Sequence, residues 1–143
     1  MSRDAILRAI PHRPPMLLVD EIVEQSVGRI HCRKTYRDDE HFVQGHYPGQ
    51  PIVPGVILCE TGMQAGAVLL SQYLAGDEEQ VPVATRLNNV KFKKMVRPGD
   101  TVDVVVELTE QLSGTFFLQA KISSHGKLAT RFDFACTLAN VAT

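Results

Sequence analysis

Residues 44–66, QGHYPGQPIVPGVILCETGMQAG, place His46 and Glu60 fourteen positions apart in a segment otherwise made mostly of proline, glycine and apolar side chains. Imidazole is the natural base near neutral pH. Glu60 is the only charged side chain within residues 52–70. Among apolar neighbours its carboxyl group is expected to be desolvated, which raises its pKa and suits it to act as an acid. Gln64 lies one helical turn further on, so its amide is placed to orient that carboxyl group. His46 sits in Gly45-His46-Tyr47-Pro48-Gly49, where proline restricts the backbone and glycine permits left-handed or close-packed conformations. Such a loop suits the holding of one side chain in one pose, with Tyr47 either positioning His46 or filling an interface. Gly55 is expected as the second residue of a helix that opens at Pro54. Its N–H has no intrahelical acceptor, the helix dipole adds positive potential, and the missing side chain admits an oxygen.

A base, an acid and an oxyanion donor suit one reaction in particular. A proton is removed beside a carbonyl and a hydroxyl leaves from the next carbon, with no nucleophile and no metal. Each group also has a purely structural reading: Glu60 satisfied by Gln64 or backbone, His46 pinned for packing, Gly55 avoiding a clash. Cys59 is a poor nucleophile candidate, because no cationic neighbour is at hand to lower its pKa. His41, His46 and Glu60 match no recognised metal-ligand spacing. Gly62 and Gly66 cost helix stability relative to alanine. Close packing of the helix is the favoured reason for them, and room for a substrate chain is the alternative.

The elements that must position these groups follow from pattern and punctuation. A short helix is predicted over 2–9, capped by Ser2 and ended before Pro11. Residues 16–24 and 29–36 read as strands separated by a turn at Val27-Gly28. In the second, Ile30, Cys32, Lys34 and Tyr36 share one face. Residues 54–74 read as one helix, apolar almost all round and therefore central. Gly76 and the charged cluster over 76–80 are expected to end it. Strands are predicted over 82–95, 101–110, 115–124 and 127–139, broken at Pro98-Gly99-Asp100, Ser113-Gly114 and His125-Gly126. Ten strand residues span about 33 Å and a helix of this length about 30 Å. The expected fold class is α+β, a long antiparallel β-sheet wrapped around a central α-helix in a single domain over 1–143.

Bulk properties narrow the function classes. The chain has 143 residues and a formal net charge of −1, which gives no electrostatic argument for nucleic acid. No apolar run approaches the roughly 20 residues of a membrane span. The three cysteines are far apart and read as reduced thiols, and the first ten residues lack the apolar core of a signal peptide. The expected location is cytoplasmic.

Three blocks resemble the 3-hydroxyacyl-[acyl-carrier-protein] dehydratases of bacterial type II fatty-acid synthesis. They are IPHRPPMLLVDEI (10–22), GHYPGQPIVPGVILCE (45–60) and VKFKKMVRPGD (90–100), in the family's order and spacing over nearly the whole chain. The resemblance implies a hot-dog fold, His46 as general base, Glu60 as general acid and Gly55 N–H as the donor to the thioester carbonyl. It implies no cofactor beyond the phosphopantetheine arm of acyl carrier protein that carries the substrate. It also implies a homodimer whose active sites combine His and Glu from different subunits, and further assembly into a hexamer. The sequence alone gives no such pairing, since nine residues from His46 to Gly55 can span about 30 Å or fold back. Glu60 favours the dehydratase branch over the sister family that also isomerises the double bond, which usually carries Asp there. Gly62-Met63 and Met95 depart from the family's usual Met-Ala and Pro, the former close to the expected substrate tunnel.

Acyl carrier proteins are acidic, so Arg13, Arg86, Lys91, Lys93, Lys94 and Arg97 are docking candidates, with 91, 93 and 97 of one strand parity; an ordinary solvated surface is the alternative. His12 and Arg13 either border the substrate entrance or pin a loop against the sheet. His31 and His125 carry no assigned chemistry. The rival functions are a thioesterase on the same fold, an isomerising dehydratase and a non-catalytic acyl-binding module.

Overall fold

The apolar helix expected at the centre is at the centre. In a computed structural model, which describes residues 2–74 and 80–140, helix α3 (Gly55–Leu70) packs against five strands of a six-stranded antiparallel sheet. The other elements are α1 (Ser2–Ala9), β1 (Glu21–Ser26), β2 (Arg29–Thr35), α2 (His41–Gln44), β3 (Gln80–Phe92), β4 (Thr101–Leu112), β5 (Thr115–Ser124) and β6 (Lys127–Asn140). The strand order is β1-β2-β4-β5-β6-β3, so β1 and β3 are the edges.

Alternation decides which face meets the helix. Val102, Val104 and Val106 of β4, Phe116, Leu118, Ala120 and Ile122 of β5, and Phe132 and Phe134 of β6 are all buried. Ser113-Gly114 and His125-Gly126 both have positive φ at each residue. That is the primed two-residue turn whose twist matches antiparallel strands. Gly62 and Gly66 let the helix approach β6 closely. A Cβ at Gly62 would stand 2.6 Å from Cζ of Phe132, and one at Gly66 would stand 2.6 Å from Cζ of Phe134. The packing role expected for these glycines is the one the structure shows, and the space at Gly62 is filled by an aromatic ring.

Three expectations need correction, and one helix was not expected. The predicted strand over 16–24 starts only at Glu21; Leu17, Leu18 and Val19 are buried because this segment runs over α3, held by Gln64. The central helix begins at Gly55 rather than Pro54, and a 3₁₀ turn over Ser71–Tyr73 follows it. β3 ends at Phe92, where the Lys93 and Lys94 amides both turn to the Ala129 carbonyl. Strand parity therefore does not extend to Lys93, Lys94 and Arg97. Helix α2 has no counterpart in the sequence reading. The expected helix stop at Gly76 and most of the charged cluster after it lie outside the described residues.

Candidate active site

His46 is presented by a short tethered loop. Helix α2 stops at Gly45, the His46 amide donates to the Val43 carbonyl at 3.1 Å, and the chain then turns through Tyr47 (φ 56°) and Gly49 (φ 94°). The ring nitrogen Nδ1 lies 3.0 Å from the Ile52 carbonyl. A carbonyl only accepts, so Nδ1 carries the hydrogen in this contact. In the neutral ring Nε2 is then the unprotonated nitrogen, available to take a proton. The Tyr47 ring stands edge-on to the His46 ring, with centroids 4.7 Å apart, and is itself exposed.

Below the loop, Val53 N–H donates to the Val96 carbonyl at 2.7 Å, which fixes the start of α3. Gly55 is the first helical residue, where amides have no intrahelical acceptor. It borders a cavity of about 550 Å³ walled largely by Ile52, Val56, Leu58, Phe92 and Met95. Gly55 meets the Phe92 ring so closely that a Cβ there would come 2.7 Å from Cε1. The close approach reserved by this glycine is thus occupied in part by an aromatic ring.

Glu60 lies one and a half turns further along α3. Its side chain is 26% exposed, not sealed in the helix core. Gln64 is fully buried and has both ends of its amide committed. Its Oε1 accepts from Leu18 N–H at 2.7 Å, and its Nε2 donates at 2.9 Å to both the Met16 carbonyl and Oε2 of Glu60. The Glu60 carboxyl group opens into a separate cavity of about 240 Å³, lined also by His12, Met63, Val83 and Cys136. This cavity shares no lining residue with the one at Gly55. Among the described residues no hydrogen bond or ion pair joins His46 to Glu60 of the same chain.

The thiols near the site are protonated. Burial raises the Cys59 thiol, and pushes Cys136 up to about 11. His41 packs edge-on against Phe42. Of the docking candidates, Arg86, Lys91, Lys93 and Arg97 are exposed. Lys94 donates to the Ser124 carbonyl at 3.2 Å. Arg13 is spent on its own loop, with Nη1 on the Ile10 and His12 carbonyls and Nη2 on that of Leu7. Strand register adds Arg131, which stands directly beside Lys91 across β3 and β6, and Lys121, which stands beside Arg131 across β6 and β5. Like charges in such a row repel, and it is the pairing of β3 with β6, strands distant in sequence, that brings Lys91 to the other two.

A second missed feature supports the His46 loop. Lys34 and Glu40 form a buried ion pair at 2.9 Å, and the other Glu40 oxygen accepts the Arg37 amide at 2.8 Å. Glu40 also caps α2, its carbonyl accepting from Val43 N–H. The signal was in the alternation of β2: Lys34 shares the inward face with Ile30 and Cys32, and a charge there requires a partner.

Comparison with known proteins agrees with this architecture. The model of the FabA-like domain family matches residues 10–133. The 3-hydroxyacyl-[acyl-carrier-protein] dehydratase FabZ of Geobacter metallireducens is 40% identical over 139 residues, covering 94% of this chain and 91% of that protein. The protein of the same name from Nitrosomonas eutropha is 38% identical over 140 residues, covering 96% and 97%. Among solved structures, the dehydratase heterocomplex ApeI:P of Xenorhabdus doucetiae superposes with a TM-score of 0.81 at 20% identity, covering 95% of this chain and 91% of that one. The PaaI protein of Escherichia coli superposes with a TM-score of 0.68 at 18% identity, covering 94% and 88%, a likeness of fold alone. The fold is the hot-dog fold, and the chain belongs to the FabA-like family, among its 3-hydroxyacyl-[acyl-carrier-protein] dehydratases.

Proposed function

We propose that this chain is a hydro-lyase of fatty-acid biosynthesis that converts (3R)-3-hydroxyacyl-[acyl-carrier-protein] to the trans-2-enoyl thioester and water. The observation that carries the reading is the Nδ1 contact of His46 with the Ile52 carbonyl, which leaves Nε2 as a fixed basic nitrogen. In this reading the thioester carbonyl lies at the N-terminus of α3, where the Gly55 amide polarises it. His46 Nε2 takes a proton from C2, and the electron pair left behind expels the C3 hydroxyl. Glu60 gives that hydroxyl a proton, so that it departs as water. The substrate is carried on the phosphopantetheine of acyl carrier protein, and no step calls for a metal or further cofactor.

The separation of His46 from Glu60 within one chain supports a homodimer with shared sites. β3 is an unpaired edge with Val83 and Leu87 exposed, and Val83 also lines the Glu60 cavity. An open edge of this kind is a template for pairing. A second copy laid along it would reach the mouth of that cavity, and hexamers would be built from such dimers. The basic residues Arg86, Lys91, Lys93, Lys94 and Arg97 are read as docking charges for the acidic carrier, together with Arg131 and Lys121. Arg13 is read as a border residue of the entrance, held by its loop. Tyr47 and Gln64 support His46 and Glu60 respectively. Among the described residues no helix is long and apolar enough to cross a membrane, and we assign the protein to the cytoplasm.

One assay discriminates the rivals. With a 3-hydroxyacyl thioester, enoyl absorbance without thiol release is expected. Thiol release would mean a thioesterase, a cis-3 product an isomerising enzyme, and binding without turnover a carrier module. Carrier affinity should fall as salt rises; an affinity unchanged by salt would remove the docking assignment.

A further inference from the structure

The Glu60 carboxyl group has a neighbour that the mechanism leaves unused. His12, on the loop between α1 and the segment crossing α3, brings Nε2 to 3.8 Å from Oε2 of Glu60. Its other ring nitrogen, Nδ1, is buried and has no hydrogen-bond partner among the described residues. A buried N–H without an acceptor costs about 1–3 kcal/mol. That cost favours the tautomer with the hydrogen on Nε2. The Nε2–H then faces Glu60.

The loop backbone is fixed independently of the ring. Arg13 clamps the carbonyls of Leu7, Ile10 and His12 itself. Rotation of the imidazole by roughly 1 Å is enough to turn the 3.8 Å approach into a hydrogen bond. The oxygen it approaches is Oε2, the same oxygen that already accepts from Gln64 at 2.9 Å. No donor among the described residues is assigned to Oε1.

We propose that His12 is a positioning residue for the acid: with Gln64 it reserves Oε2 of Glu60 as the acceptor, so that the proton delivered to the leaving hydroxyl is carried on Oε1. This rests on Glu60 being the acid. No other charge competes within the cavity. On the His12 loop, Arg13 is turned to backbone; on α3, the only titratable lining group is Glu60; on β6, Cys136 is a protonated thiol; and Pro82, Val83 and Ala84 of β3 are uncharged.

The test compares H12F, H12Q and E60Q as full-length chains on a 3-hydroxyacyl thioester. H12F fills the loop without a donor, and H12Q keeps an N–H near the same place. H12F should lose roughly 10- to 100-fold in kcat, the worth of one hydrogen bond to a charged group, with KM little changed. The alkaline limb of its rate profile, where the acid has given up its proton, should move to higher pH because the carboxylate has lost a donor. H12Q should recover most of the loss, and H12F/E60Q should be no slower than E60Q. A wild-type rate and profile in H12F, or equal damage in H12F and H12Q, overturns the inference while leaving the acid role intact provided E60Q is inactive. Should H12F not fold, H12L against H12Q gives the same comparison. A fully active E60Q overturns the acid role itself, and the His12 inference with it.

Discussion

At the scale of single residues, the two titratable groups are held by different means. His46 depends on backbone: one carbonyl, from Ile52, sets which nitrogen is basic. Glu60 depends on side chains, Gln64 foremost. Removing a general acid or base typically costs about 10²–10⁴ in rate. H46A and E60Q should each lose activity on that scale in steady-state assays, while far-ultraviolet circular dichroism stays unchanged, because neither side chain belongs to the buried core. Either variant turning over normally would remove its role. The expectation of a deeply buried carboxyl group came from counting apolar neighbours along the helix. The carboxyl group reaches a cavity mouth instead, because that face of α3 is covered by a loop and an edge strand rather than by the sheet centre.

At the scale of elements, two contacts fix how α3 and α2 sit. Gly62 accepts the Phe132 ring, and the ring is fully buried, so it has no free direction to yield. G62A should destabilise the fold by about 1–3 kcal/mol through overpacking, read as a lower thermal midpoint. F132L added to it should restore part of that loss, and an unchanged midpoint in G62A would show the contact to be loose. The Lys34–Glu40 pair links β2 to the head of α2, with both side chains at most 5% exposed. Breaking one side leaves a buried charge, so E40A should cost about 3–5 kcal/mol. The double replacement K34M/E40L should be less damaging than E40A alone in denaturant titrations, since it leaves no orphaned charge.

At the scale of the whole molecule, no hydrogen bond or ion pair among the described residues joins His46 to Glu60 within one chain, the cavity at Gly55 shares no lining residue with the one at Glu60, and the unpaired edge strand β3 contributes Pro82, Val83 and Ala84 to the Glu60 cavity. If two-fold dimers share their sites, H46A and E60Q complement each other. Random reassembly makes half the dimers mixed, and each mixed dimer has one intact site of two, so roughly a quarter of wild-type activity should return. No recovery after co-refolding would place both groups of a working site in one chain. The fold class, the central helix, the hairpins at Ser113-Gly114 and His125-Gly126, and the Gln64–Glu60 contact can all be read from the order of the residues. These follow from local periodicity, turn chemistry and helical spacing, which the chain carries within a few residues. The rest was settled by folding in three dimensions: the route of residues 16–20 over α3, the end of β3 at Phe92, the placing of Lys91 beside Arg131, and the approach of His12 to Glu60. Each is a meeting of segments far apart along the chain, set by strand register and by which buried polar group finds a partner, and no local pattern of residue types encodes it.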